Sequence, residues 1–487
     1  MKRVVSNESI ISYINHCDFN KFLDVCSNAL LDSYNYTGKV AFLCGNNTKG
    51  LIALASAFKL VDTCECDIYL GEYFNHVIIN NCKAKGININ LLEDNFNLDQ
   101  YSIIVDGLID SYSFNTNNFY DKIFSYINNS DIKVISVDLN SGLNPDTGIG
   151  KTIMKSDLTV SFGSFRYGHF LNMSKDYIGK LVNYKLFTVV TDTYLLELND
   201  CRRIFNNRKN DSSKYDYGLV SIMGGSNNYT GSIKLCNMAS ASMRSGVGLT
   251  RLCVPNTVGN AILPNILEAT MCVMPSREGK MVFSKEEIDK ALDKTTALVI
   301  GMGWGISEEY KEILEYILTN YDKPIVVDAD GINMLSEMDL NLIKNYKSKV
   351  ILTPHLREFS RLSKVDGHVI VNNPINIVKK FAKENNCILL LKGSTTIVSD
   401  GELVYLVDRG CSGMATAGSG DVLSGILGGL LAYNEADILT VAAAAYVNGM
   451  AGEEAEKEVG NVSLIATDTI RMIPMVIKKM SLDNWIK

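Results

Sequence analysis

The sequence predicts a two-domain α/β protein whose parallel sheets are covered by helices. Three observations carry that expectation. Short β-rich runs alternate with longer helical patterns along nearly the whole chain, and those runs end repeatedly on glycine or acidic residues. Composition changes at the Asn-, Asp-, Lys-, Arg- and Ser-rich stretch 199–217. With 487 residues the chain is too long for one ordinary core, so domains are expected over 1–198 and 205–487.

In the first half, the run 40–44 ends at Gly45-Asn46-Asn47 and is followed by helical periodicity over 51–60. The run 103–105 ends at Asp106, and 134–137 ends at Asp138. Ligands of such sheets sit beyond the carboxyl ends of the strands. An acidic residue there also serves as a turn or helix cap, so each carries little weight alone.

In the second half, buried strands are expected at 219–223, 298–300, 324–327, 350–352 and 388–391. Each runs into a loop of ligand type. These are 224–231, the GMGWG segment 301–305, the DADGIN segment 328–333, the TPHLRE segment 353–358, and Lys392-Gly393-Ser394-Thr395-Thr396. Helices over 232–245 and 441–456 are rich in Ala, Ser and Gly, which permits close packing. The segment 415–425, ATAGSGDVLSG, is a glycine turn opening an apolar helix over 422–431. Such a turn presents free N–H groups and the positive end of the helix dipole to an anion. Asp421 reads there as a helix N-cap and also as a carboxylate with chemistry to do, although a helix N-terminus should keep its pKa low.

Bulk composition narrows the classes of function. The 46% hydrophobic and 21% charged content is that of a globular protein, and a net charge of -7 speaks against nucleic acid or membrane as main partner. Residues 1–8 lack the apolar core of a signal peptide, and no uncharged apolar run reaches the ~18 residues of a spanning helix, so a cytoplasmic location is expected. Twelve cysteines without a C-x-x-C pair and five scattered histidines give no zinc or redox pattern, and the cysteines read as mostly buried, reduced thiols.

The segments GGSNNYTGS (224–232), RSGVGLTRL (244–252), GMGWG (301–305), VVDADGIN (326–333), LTPHLREFSRL (352–362), LKGSTTIV (391–398), ATAGSGDVLSGILGGLLA (415–432) and ATD (466–468) span the second half in order. Through them it resembles the ADP/ATP-dependent NAD(P)H-hydrate dehydratases of the ribokinase-like superfamily. The resemblance implies a ribokinase-like domain and dehydration of the (6S) hydrates NADHX and NADPHX. The ring hydroxyl is phosphorylated and phosphate is then eliminated. It implies Asp421 as base and substrate contact, Lys392, Gly393, Ser394, Thr395, Thr396 and Gly420 as nucleotide grip, and Gly246, Gly303 and His355 as hydrate pocket. It also implies Glu358 as a Mg²⁺ carboxylate acting through water, and ADP, or else ATP, as phosphoryl donor. A vitamin-precursor kinase of the same superfamily, carrying a non-catalytic N-terminal module, is the alternative. The TPxxxE loop of such kinases usually has Asn where His355 stands.

The first half, through CGNNTKG (44–50), IIVDG (103–107), VDLNSGLNPDTG (137–148) and DLTVSFGSFRYG (157–168), resembles the NAD(P)H-hydrate epimerases often fused ahead of that dehydratase. The resemblance implies a Rossmann-like three-layer domain, a K⁺ site at Asn47, Asp106 and Ser141, substrate contacts at Asn46 and Asp138, and Asp138 as catalytic carboxylate. A homo-oligomer is expected. Departures stand beside the resemblance. Thr48-Lys49 replaces a glycine-rich, Asp-containing turn, residues 108–113 lack a phosphate-cradling G-x-G, and Asn140 replaces a usual proline. Two readings of this half follow, an epimerase with a divergent loop and a binding module without catalysis.

Overall fold

The computed structural model describes residues 1–110, 116–205, 207–238 and 243–481. They form two compact units, Lys2–Thr191 and Asp192–Lys487, with Met1 belonging to the latter.

The first unit holds, among the described residues, a seven-stranded sheet in the order Asn88–Leu91, Cys66–Leu70, Val40–Cys44, Ile103–Gly107, Lys133–Val137, Leu158–Phe162 and Lys180–Tyr184. Neighbouring strands pair in parallel. Both faces are covered, as the unbroken burial of Val40–Cys44 requires. Val40, Phe42 and Cys44 pack with Ile52, Leu54 and Ile79 on one face. Ala41 and Leu43 turn the other way, against Ile123, Phe124 and Ile127. This is the three-layer, Rossmann-like arrangement. Strand order reverses between Val40–Cys44 and Ile103–Gly107, which opens a crevice at their carboxyl ends.

The second unit orders its strands Thr270–Met274, Leu249–Pro255, Leu219–Met223, Ala297–Ile300, Ile325–Val327, Val350–Leu352, Ile388–Leu391, Thr396–Ser399, Val404–Val407 and Thr193–Leu195. Pairing is parallel from Thr270–Met274 through Ile388–Leu391. Thr396–Ser399 then pairs antiparallel with both of its neighbours, so the sheet is mixed rather than wholly parallel. The connections 392–395 and 400–403 are too short for the crossover that parallel neighbours need.

Helices Ser419–Leu431 and Ile438–Val459 cover this sheet. Their small residues let backbone approach strand closely: a Cβ on Gly428 would lie 2.3 Å from Val299 Cγ2. The helix expected over 232–245 is present as Thr230–Asn237, and residues 239–242 lie outside the described residues. Among the described residues, no helix is long and apolar enough to cross a membrane.

Candidate active site

In the second unit, the strand ends converge on one charged cluster. Ile325–Val327 delivers Asp328, Ile388–Leu391 delivers Lys392, and Val350–Leu352 lies between these strands. Lys392 Nζ donates to Asp328 Oδ1 at 2.9 Å, and Ser424 Oγ donates to Asp328 Oδ2 at 2.7 Å. Asp328 is 2% exposed. Burial alone would raise its pKa, but the Lys392 ammonium and the Ser424 and Thr353 hydroxyls outweigh that and hold the carboxyl below its usual range. Lys392 in turn is surrounded by the carboxylates of Asp328, Glu358 and Asp421, which raise its pKa against burial.

Helix Ser419–Leu431 begins at Gly418, whose φ of 90° suits glycine, and a Cβ there would meet Leu235 Cδ1 at 2.3 Å. Two expectations about Asp421 are corrected here. It is not the N-cap, because Gly418 holds that position and Asp421 is the third residue of the helix. Its pKa is not low either. Burial and the neighbouring Asp328 carboxylate push it up to about 7, against the Ser232 hydrogen bond and the Lys392 charge. The dipole effect of a helix start, typically 0.3–1 kcal/mol, is the smaller influence. Gly420 sits against the ion pair: a Cβ there would lie 3.5 Å from Lys392 Nζ and 3.7 Å from Asp328 Oδ2.

His355 caps helix Leu356–Ser363. Its Nδ1 accepts from the backbone N–H of Arg357 (3.1 Å) and Glu358 (3.3 Å), which leaves the ring proton on Nε2. Glu358 Oε2 accepts from the His355 N–H at 2.8 Å, completing a capping box. Oε1 of Glu358 lies 3.4 Å from His355 Nε2. Burial raises the Glu358 pKa. The Lys392–Thr396 segment forms the tight turn into Thr396–Ser399, and Lys392 N donates to Pro354 O at 2.9 Å, which ties this turn to the His355 loop. Within the turn, Thr395 Oγ1 donates to Asp408 Oδ1 at 3.0 Å. Gly303 packs under Tyr229, and Gly246 under the Tyr433 hydroxyl, each too close for a side chain.

The sequence-predicted residues Asp421, Lys392, Gly420, His355 and Glu358 therefore share one locus. Asp328, Ser232 and Ser424 were missed as site residues. Asp328 stood in view in the DADGIN segment, but nothing in the sequence pairs it with Lys392. Ala329, at φ 50° and ψ −121°, follows it in a backbone region that costs roughly 1–3 kcal/mol, the kind of strain found at functional sites.

In the first unit, Asp138 also has a positive φ, 63°. Its Oδ2 accepts from Arg166 Nε at 3.1 Å and from Arg166 Nη2, and Asn7 Oδ1 accepts from Nη1. His169 Nδ1 accepts from the Arg166 N–H, so its Nε2–H donates to Asp138 O at 2.7 Å. Burial would raise the Asp138 pKa, but Arg166 foremost holds it below the usual carboxylate range. Burial lowers the His169 pKa to about 4. Asp138, Arg166, Lys49 and Asp110 line a cavity of about 170 Å³ with Ile10, Ile14 and Phe187 among its apolar walls. Asn46 is exposed at the end of Val40–Cys44. Asn47 caps helix Thr48–Leu60, its Oδ1 accepting from Gly50 N at 2.9 Å and its Nδ2 donating to Leu108 O at 2.8 Å. Asp106 and Ser141 are buried together, the Ser141 hydroxyl donating to Asp106 Oδ1. Lys49 is 4% exposed; burial lowers its pKa while the carboxylates of Asp106, Asp110 and Asp138 oppose that. Residues 111–113 of the divergent loop lie outside the described residues. Arg166 and Lys49 are the residues missed in this half.

Comparison with known proteins follows the same division. A family model described as NAD(P)H-hydrate dehydratase matches residues 220–475, and one described as YjeF-related protein N-terminus matches 23–168. A bifunctional NAD(P)H-hydrate repair enzyme of Coxiella burnetii is 29% identical over 459 residues, covering 90% of each chain. An ADP-dependent (S)-NAD(P)H-hydrate dehydratase of Cenarchaeum symbiosum is 33% identical over 286 residues, 58% of this chain and 95% of that one. Among solved structures, the ADP/ATP-dependent NAD(P)H-hydrate dehydratase of Bacillus subtilis, co-crystallised with ATP and Mg²⁺, superimposes with a TM-score of 0.50. It is 25% identical, covering 59% of this chain and 98% of that chain.

Proposed function

The chain belongs to the NAD(P)H-hydrate dehydratase family, joined to an epimerase-type N-terminal domain, and from that membership we propose how its residues act. The reaction is nucleotide-dependent repair of NAD(P)H hydrates. The observation that carries the reading is the Asp421 carboxyl, half-buried at a helix start with its pKa moved to about 7, beside the Lys392–Asp328 pair.

Hydroxide is a poor leaving group, so the hydrate's ring hydroxyl is converted into a phosphate ester. The hydroxyl oxygen forms a bond to the terminal phosphorus of the nucleotide, the bond from that phosphorus to the bridging oxygen breaks, and Asp421 takes the hydroxyl proton. The ring-nitrogen electron pair then expels phosphate to give a ring iminium, and loss of a proton from the neighbouring ring carbon to solvent restores the double bond and leaves NAD(P)H. A base with a pKa near the working pH suits the first step. Helix-start N–H groups, Gly420 among them, and Lys392 meet the charge that develops on the transferred group. Residues 392–396 hold the nucleotide, and His355 Nε2–H faces the hydrate. ADP is the donor in this reading, supported by the Cenarchaeum relative. Mg²⁺ fits as an ion carried by the nucleotide's phosphates. Among the described residues no three His, Cys, Asp or Glu side chains converge as a cage, and Glu358 is the carboxylate that would reach such an ion through water. Bound there, Mg²⁺ would supply charge neutralisation at the phosphates.

For the first unit, the Asp138–Arg166 pair favours a binding module without catalysis, because a carboxylate held below its usual range is a weak base. Epimerisation through Asp138 is the other reading.

The test mixes the protein with hydrated NADH, Mg²⁺ and either ADP or ATP and follows the absorbance of reduced nicotinamide. Recovery with ADP is expected. A phosphorylated product that accumulates without recovery would instead identify a kinase. Incubating an Asp421→Asn variant with pure (6R) hydrate and separating the isomers reads the first unit alone.

A further inference from the structure

The potassium site implied for the first unit does not fit the residues found there. All three side chains that would hold the ion are already engaged. Asp106 Oδ1 accepts from Leu108 N at 3.3 Å and from the Ser141 hydroxyl, and its Oδ2 accepts from Ser136 Oγ at 3.0 Å and Ser141 N at 2.9 Å. Ser141 Oγ also accepts from Ile109 N at 2.9 Å, and Asn47 Oδ1 caps its own helix. The backbone carbonyls of the two adjoining loops, which face the same crevice, receive a different cation. Lys49 Nζ donates to Ile109 O at 3.0 Å and to Leu139 O. Ile109 follows Asp106 in its loop and Leu139 precedes Ser141, so the ammonium bridges the segments that carry two of the three expected ligands.

We propose that the Lys49 ammonium takes the place of a potassium ion, so that this unit carries its own tethered cation and needs none from solution. An ammonium and K⁺ are both monovalent and weakly hydrated compared with smaller cations, and both accept carbonyl oxygens as ligands. Lys49 stands two residues after Asn47, on the first turn of Thr48–Leu60, and so reaches the crevice from the third side. The chain's departure from a glycine-rich turn at 48–49 thereby has a purpose: the side chain that blocks close backbone approach supplies the charge. The inference does not depend on whether the unit is catalytic.

The test is ion dependence of the full-length protein, exchanged into choline chloride and titrated with KCl or NaCl at constant ionic strength. Wild type is expected to show no K⁺-specific rise in melting temperature. Lys49→Ala is expected to melt lower in choline and to recover with K⁺ but not with Na⁺. Indifference of both proteins to K⁺ overturns the proposal, since Lys49 would then fill no ion site. If Lys49→Ala does not fold, wild-type crystals soaked in thallous salt decide. A thallium peak at the Ile109 and Leu139 carbonyls overturns the proposal, and its absence supports it.

Discussion

The Lys392 ammonium lies 2.9 Å from Asp328 Oδ1, spanning the end of the strand that separates their own strands in the sheet. The pair keeps Asp328 ionised, and Asp328 in turn raises the pKa of Asp421. One carboxylate is thereby fixed as an anion and its neighbour made a usable base. Two carboxylates in one site with their pKa values pushed apart is the pattern by which acid and base roles are divided.

Asp421→Asn is expected to fold and to lose roughly 10²–10⁴-fold in dehydration turnover, the usual worth of a positioned base. In wild type, kcat should fall as pH drops through about 7, because Asp421 must be ionised to accept the proton. Stability carries the opposite sign. A carboxyl whose folded pKa is raised contributes stability below its unfolded pKa and loses it as pH rises through about 7. The variant should therefore gain on wild type between pH 4 and 8. Melting temperatures across that range check it, and a flat difference would falsify the assignment of the raised pKa.

Asp328→Asn removes the fixed anion. Lys392 then loses its close partner, at a cost of about 1.5–3 kcal/mol for a hydrogen bond to a charged group. Asp421 also loses its like-charged neighbour, so the acid limb of the pH–kcat profile should move to lower pH. A profile that stays in place would separate Asp328 from the tuning of Asp421 and leave it a purely structural ion pair.

The strands bearing these groups were legible in the sequence, because buried parallel strands read as short apolar runs. The expected runs 350–352 and 388–391 coincide with Val350–Leu352 and Ile388–Leu391. The strand Thr396–Ser399 was hidden inside a ligand-type motif, and its antiparallel pairing is decided by turn length rather than by apolar pattern. At the site, Asp421 and Lys392 stood out through glycine neighbours and strand-end position. The Asp328–Lys392 and Asp138–Arg166 pairs did not, since partners distant in sequence are chosen by tertiary packing alone. Lys49 was visible only as a missing glycine, because nothing local reveals that a lysine folds inward to backbone carbonyls.

In the proposed reaction His355 has two jobs that substitution separates. Its Nδ1 caps a helix, which Asn also does well, whereas Ala removes the cap at a cost of about 1 kcal/mol. His355→Asn should therefore keep the wild-type melting temperature while lowering kcat/KM for the hydrate, because the Nε2–H is lost. His355→Ala should lower both. Equal kcat/KM in wild type and His355→Asn would confine this histidine to capping.

In the first unit, His169 is buried with its pKa lowered to about 4 and spends its ring proton on the Asp138 carbonyl. The unfolded chain binds a proton at this residue near pH 6.5 and the native unit does not until about 4, so stability is complete above 6.5 and falls as pH drops between these values. The loss is roughly 3 kcal/mol, from about 1.36 kcal/mol per pKa unit. A glutamine offers one acceptor and one donor but no titration. His169→Gln should abolish that part of the acid slope while leaving the pH 8 stability nearly unchanged. Hydrogen exchange at amides of Lys133–Val137, followed from pH 8 to 4.5 in the intact chain, isolates this unit from the other. An undiminished slope in the variant would move the acid sensitivity from His169 to the carboxylates around it.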